Sequence, residues 1–151
     1  MSNSVEESVA KRFYVATRKD RSAQANALSE ILRAEGWERT FAWTELDAAK
    51  PEEFAATAVA EVEAVRLADV LIVLLPGGYG THVEIGAALA LGKPVILHAP
   101  DRNTLETPYP CVFHYHPGVK LLISEVLDMG AIATIMAELL ARSFAGADIE
   151  L

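Results

Sequence analysis

Two kinds of apolar pattern alternate along this chain. Short unbroken apolar runs are separated by longer stretches in which apolar residues recur every three or four positions. The clearest run is Val70 to Leu75, bounded by Asp69 on one side and Pro76-Gly77-Gly78 on the other. A run this short, β-branched and apolar throughout reads as a strand covered on both faces, as in parallel sheets. A helix follows from about Thr81 to Leu91 and stops at Gly92, and Val95 to Leu97 begins the next buried strand. Upstream, Arg12 to Thr17 is the first strand. Ser22 caps a helix that carries Leu28, Ile31 and Leu32 on one face and ends at Gly36. Arg39 to Thr44 is a second strand. Pro51 then opens a helix reaching about Leu67, with Glu52 and Glu53 at its positive end and a stripe of Ala55, Ala58, Val62 and Val65 facing the core.

Past Leu97 the pattern loosens. His98 to Pro110 reads as a polar loop, and Cys111 to Tyr115 as a short fifth strand at the edge. Val119 to Leu122 either continues that edge or begins a turn of helix. A terminal helix from about Gly130 to Ser143 carries Ile132, Ile135, Met136, Leu139 and Leu140, and residues 1–11 are expected to fray. Strands alternating with helices imply an α/β fold, a doubly wound parallel sheet of five strands in the order 2-1-3-4-5, in one domain spanning the chain.

Composition narrows the function. At 151 residues and 52% apolar, the chain can bury one full core. Its net charge of −8 argues against a nucleic acid polymer or an anionic membrane surface as partner. No apolar run approaches the ~18 residues of a membrane span, and the polar, acidic start is unlike a signal peptide, so a cytoplasmic protein is expected. Cys111 is the one cysteine, which rules out an internal disulfide or a cysteine cluster for zinc. His114 and His116 find no third ligand at convincing spacing, so neither a metal nor a cofactor is expected.

The sheet order places a ligand at the switch point between strands one and three. Strand one ends at Thr17-Arg18-Lys19, and strand three at Gly77, Gly78, Tyr79, Gly80 and Thr81. These are the candidate substrate-binding residues. The glycines permit close backbone approach, and the amides opening the next helix favour an anion such as phosphate. Arg18 and Lys19 are candidate phosphate contacts, with an exposed basic turn as the alternative. The glycine order fits neither a dinucleotide fingerprint nor a P-loop. Glu84 stands out as one carboxylate in a helix otherwise made of Val, Ile, Gly, Ala and Leu. Burying it costs free energy, which argues for a task; the alternative is a carboxylate that only shapes the glycine loop. The helix terminus is expected to keep it ionised. His82, two residues earlier, leaves the helix on another side and is read as a loop or interface contact.

The residues Ala68 to Leu75, Gly80, Glu84-Ile85-Gly86-Ala87-Ala88 and Gly92-Lys93-Pro94-Val95 resemble the nucleoside 2-deoxyribosyltransferase family and its relatives that hydrolyse nucleoside 5'-monophosphates. Phe13 to Thr17 is similar to that family's opening strand, and Phe113 to Pro117 also looks familial. The resemblance implies a flavodoxin-like fold, cleavage or exchange of an N-glycosidic bond, a small nucleoside or nucleotide as partner, and a homodimer or larger oligomer. It makes Glu84 the nucleophile and Tyr14 a hydroxyl beside it, the alternative for Tyr14 being a core aromatic with a satisfied hydroxyl. It makes Glu61 an acidic residue of the site. On a helical wheel Glu61 lies at the margin of the Ala58, Val62 and Val65 stripe, and a solvated helix edge is the alternative. Six residues before the nucleophile the transferases have an Asp and the hydrolases a Ser, where this chain has Gly78. The same loop resembles the "lonely guy" phosphoribohydrolases, which also cleave a base from a sugar. A third reading, from another class, is a nucleotide-sensing module without turnover.

Overall fold

The computed structural model describes residues 11–147. The expected fraying of residues 1–11 therefore falls almost wholly outside them. Five parallel strands, β1 (Arg12–Ala16), β2 (Glu38–Arg39), β3 (Val70–Leu74), β4 (Val95–Ala99) and β5 (Val119–Ile123), stand in the order β2-β1-β3-β4-β5. Helices α1 (Ser22–Ala34) and α4 (Met129–Ala147) lie side by side, and α2 (Pro51–Leu67) packs beside α3 (Tyr79–Ala90). Every residue of β3 and of β4 is buried, as strands covered on both faces require. The core gathers around them from Phe13, Tyr14, Leu28, Leu32, Ile85 and Ile132. Of the apolar positions expected on the last helix, Ile132 and Met136 are fully buried, and Ile135 packs against the core. The side chains of Leu139 and Leu140 lie outside the described residues. Among the described residues no helix is long and apolar enough to cross a membrane.

Helices α1 and α3 stop where glycine permits it. Gly36 and Gly92 follow α1 and α3 with φ of 92° and 68°, left-handed values that a side chain disfavours. The Lys50 end of α2 is closed by Glu53, whose carboxylate accepts the Ala49 and Lys50 amides at 2.7 and 3.3 Å.

Five sequence expectations need correction. The second strand is only Glu38–Arg39, and Trp43–Glu45 forms a turn of 3-10 helix. Trp43 buries its ring, and its indole N–H needs an acceptor; it finds the Val15 carbonyl at 2.7 Å, where β2 has already ended. Ser22 does not cap α1. A preceding 3-10 turn over Lys19–Arg21 runs into the helix, and the Ser22 hydroxyl donates back to the Lys19 carbonyl. Ile31 is exposed, and α1 buries Ala25, Leu28, Ser29 and Leu32 instead. On α2 only Val65 of the expected stripe is buried; Ala55, Ala58 and Val62 face outward, while Thr57, Ala60, Glu61 and Ala64 turn inward. The segment from Cys111 to Tyr115 is not a strand but carries a 3-10 turn over Val112–Tyr115. Prolines on both sides restrict it, and Val119–Ile123 takes the edge beside β4.

Candidate active site

Strand register decides which side chains meet at the switch point. In the β1–β3 ladder Tyr14 lies opposite Leu71 and Ala16 opposite Val73. From β1 the fully buried Tyr14 donates its hydroxyl to Glu84 Oε1 of α3 at 3.2 Å. These two residues are 70 apart in sequence. Glu84 is 7% exposed, and its second oxygen, Oε2, is buried with no partner. A carboxylate held at one oxygen and free at the other is arranged to act on something brought to it. Glu61 reaches the same recess from α2, half-buried and close enough that its charge is felt by both Tyr14 and Glu84.

The electrostatics of Glu84 differ from the sequence expectation. Burial, reinforced by the Glu61 charge and only partly offset by the Tyr14 hydrogen bond, pushes its carboxyl up to about 8. The helix end does not hold it ionised, and the reason is position. Helix α3 starts at Tyr79, two residues earlier than the pattern predicts, so Glu84 lies in the second turn. The dipole's influence fades within the first turn. Burial also raises Glu61, and burial with the nearby carboxyls raises the Tyr14 hydroxyl well above its ordinary value.

The loop residues separate into those at the recess and those turned elsewhere. Thr17 spends its hydroxyl on the Leu74 carbonyl at 2.7 Å, tying the ends of β1 and β3 together. Arg18 pairs with Asp20 through two 3.0 Å contacts, while its aliphatic stem lies beside Gly78. Lys19 is drawn away to the Leu46 carbonyl and Asp47. Thr81 is buried and accepts the Gly78 amide at 3.1 Å, closing the start of α3. Gly77 has to be glycine, because a Cβ there would come within 2.6 Å of the Thr81 methyl. Gly78 does not: a Cβ would meet only the Arg18 stem, at 3.7 Å. Gly80 and Tyr79 face outward, Tyr79 being 97% exposed. Arg66 forms an exposed pair with Glu63 on the solvated edge of α2.

Two features escape a reading of the sequence. Arg39, at the end of β2, is half-buried with Nε and Nη2 unpartnered, and its positive charge acts on Tyr14. Burial in turn lowers the guanidinium below its ordinary value. The only signal in the sequence is a charged residue opening an otherwise aromatic segment. The other is a cavity of about 350 Å³ lined by Phe41, Leu46, Asp47, Glu53, Thr57 and Ala60, the last next to Glu61 in the chain.

The nucleoside 2-deoxyribosyltransferase family matches residues 13–140. Among solved structures, the chain is similar to a CMP N-glycosidase of Clostridium botulinum, with 22% identity over 85% of this chain and 98% of that one and a TM-score of 0.57. A 2-deoxyribosyltransferase from Bacillus psychrosaccharolyticus is 18% identical over 81% of this chain and 90% of that one, with a TM-score of 0.58. The solution structure of BlsM is 19% identical over 86% and 89%, with a TM-score of 0.57. At these identities the likeness is one of fold. Comparison with curated protein sequences gives no match. The family match spans the sheet, the switch-point loops and all three residues of the recess, and on it the chain belongs to the nucleoside 2-deoxyribosyltransferase family.

Proposed function

We propose that this protein cleaves or exchanges the N-glycosidic bond of a nucleoside or nucleoside 5'-monophosphate, with Glu84 acting on the anomeric carbon. The observation that carries this reading is the state of Glu84: one oxygen anchored by Tyr14, the other buried and free. In the first step the free oxygen bonds to the anomeric carbon as the bond to the base breaks. The bonding pair leaves with the base nitrogen, which takes the proton held on Glu61. Water, or the nitrogen of a second base, then displaces the sugar ester and returns a proton to Glu61. The cavity beside Phe41 and Thr57 accepts the base, with Ala60 next to the proton donor in the chain. The CMP N-glycosidase and 2-deoxyribosyltransferase among its structural relatives support the same class of chemistry.

The test is incubation with a panel of ribo- and deoxyribonucleosides and their monophosphates, with chromatography for released base. Glu84→Ala should retain its circular dichroism and lose turnover by ~100-fold or more, the scale of a principal catalytic group. Mass spectrometry should find a sugar ester on Glu84 of the native enzyme. An active Glu84→Ala variant would reduce Glu84 to shaping the loop, and no base released from any substrate would favour the sensing module.

A further inference from the structure

The 3-10 turn at Val112–Tyr115 does more than replace an expected strand. It brings His114 against His82 in the first half of α3, with the two Nε2 atoms 2.9 Å apart and the rings inclined by 38°. Cys111 joins them, so that one ligand atom from each of the three residues lies within 4.8 Å of the others. The hydrogen bonds fix what these groups offer. His82 Nδ1 lies 2.8 Å from the Gly78 carbonyl, which can only accept, so Nδ1 carries the proton and Nε2 presents a lone pair. A backbone carbonyl holding the far nitrogen is the support that metal-binding histidines almost always have. His114 is 6% exposed, and its Nδ1 is buried with no partner, so the imidazole is incompletely satisfied as it stands. Cys111 is half-buried, which leaves a path from solvent.

We propose that His82, Cys111 and His114 form a site for a borderline-soft divalent cation of the zinc class. One thiolate and two imidazoles suit that class and not magnesium or calcium, whose ligands are oxygens. The geometry is close to what is needed. In a tetrahedral zinc site, nitrogen ligands at ~2.0–2.1 Å from the metal stand about 3.3 Å from one another. The histidines therefore need to part by only a few tenths of an ångström, and the sulfur, within 4.8 Å of both, to close in by at most about 1.3 Å. Binding releases the thiol proton, moves the His114 proton from Nε2, where it points at His82, to Nδ1, and leaves a fourth position for water. The ion ties the 111–115 segment to α3 and, through His82, to the carbonyl of Gly78 in the candidate substrate loop. The site is independent of the glycosidic reading, since none of its three residues takes part in that chemistry.

The full chain, stripped with a chelator, is titrated with cobalt(II) and then zinc(II). One equivalent of cobalt should produce visible bands of four-coordinate intensity and a thiolate-to-metal charge-transfer band in the near ultraviolet, and zinc should displace it. Cys111→Ser removes a half-buried thiol that makes no hydrogen bond, so it should fold. It should lose the charge-transfer band and bind zinc at least ~10-fold more weakly; His114→Gln should weaken binding as well. Zinc should also raise the melting temperature of the native chain and not of Cys111→Ser. Absence of the charge-transfer band, or equal zinc affinity in Cys111→Ser and the native chain, would overturn the site.

Discussion

Two carboxyls that share a poorly solvated recess cannot both ionise cheaply, and this governs how Glu84 and Glu61 behave. Both are raised by burial, and Glu84, also raised by the charge of Glu61, reaches about 8. Tyr14, which donates to Glu84, is a neutral hydroxyl, and the Arg39 cation acts on Tyr14. The pair thus holds one proton across a broad range. The proposed chemistry needs that proton on Glu61 and the charge on Glu84, so kcat/KM of metal-free protein should be bell-shaped, with its falling limb near pH 8, where the last proton leaves. A rate that keeps climbing through that limb would exclude the shared proton. Stability follows with a definite sign. The folded value of Glu84 lies above the unfolded 4.5, so the unfolded chain binds fewer protons between them. The contribution of Glu84 is full below the lower value and is lost as pH rises toward about 8. Glu84→Gln removes this loss, and its melting temperature relative to the native protein should increase steadily from about pH 5 to 8.

Gly78 offers a second test at the residue scale. Its backbone is extended and a Cβ meets only ordinary contact, so Gly78→Ser should fold without strain. The added hydroxyl stands beside Arg18 at the start of α3, where an anion is favoured. If a 5'-phosphate occupies this loop, KM for monophosphates should fall by roughly 10-fold relative to nucleosides, the scale of a hydrogen bond to a charged group. No change in that preference would place the phosphate elsewhere.

At the scale of elements, α2 matters most because its orientation is not the one its apolar residues favour. The outward face carries Phe54, Val59 and Val62, and the inward face carries Thr57, Ala60, Glu61 and Ala64. Small residues on that side let α2 lie close to its neighbours, and Glu61 is thereby brought to Glu84 rather than left on a solvated edge. Glu61→Gln separates its two parts in the mechanism. Removing the like charge lowers the Glu84 value, and removing the proton donor abolishes the falling limb. The pH profile should change from a bell to a single rising limb with no fall above pH 8, and with a reduced plateau. A bell preserved in the variant would assign the falling limb to another group.

At the scale of the whole molecule, α2 and α3 pack together and both leave apolar residues exposed. Val59 and Val83 are 72% and 62% exposed, and Tyr79, Val83, Gly86 and Ala90 follow one another along a single side of α3. Exposed apolar residues on two packed helices are the kind of surface that a second copy of the chain covers. We therefore expect a homodimer through α2 and α3. Light scattering at micromolar concentration should report about twice the chain mass, and Val59→Glu should halve it without loss of helix content. A native monomer under those conditions would refute the arrangement.

The apolar runs and their glycine and proline boundaries determined the parallel sheet, its order and the loops that meet at its switch point, because strand burial and turn formation depend on neighbours in sequence. The oddity of Glu84 was legible for the same reason, as a charge that local packing does not explain. Tertiary structure alone decided the rest. The β1–β3 register set the Tyr14 hydroxyl against Glu84, the rotation of α2 turned Glu61 inward, and the end of β2 placed Arg39 nearby. Ionisation followed from these contacts, since desolvation and charge act through space. The same holds for Cys111, solitary in sequence, which meets two histidines only because prolines keep its segment out of the sheet.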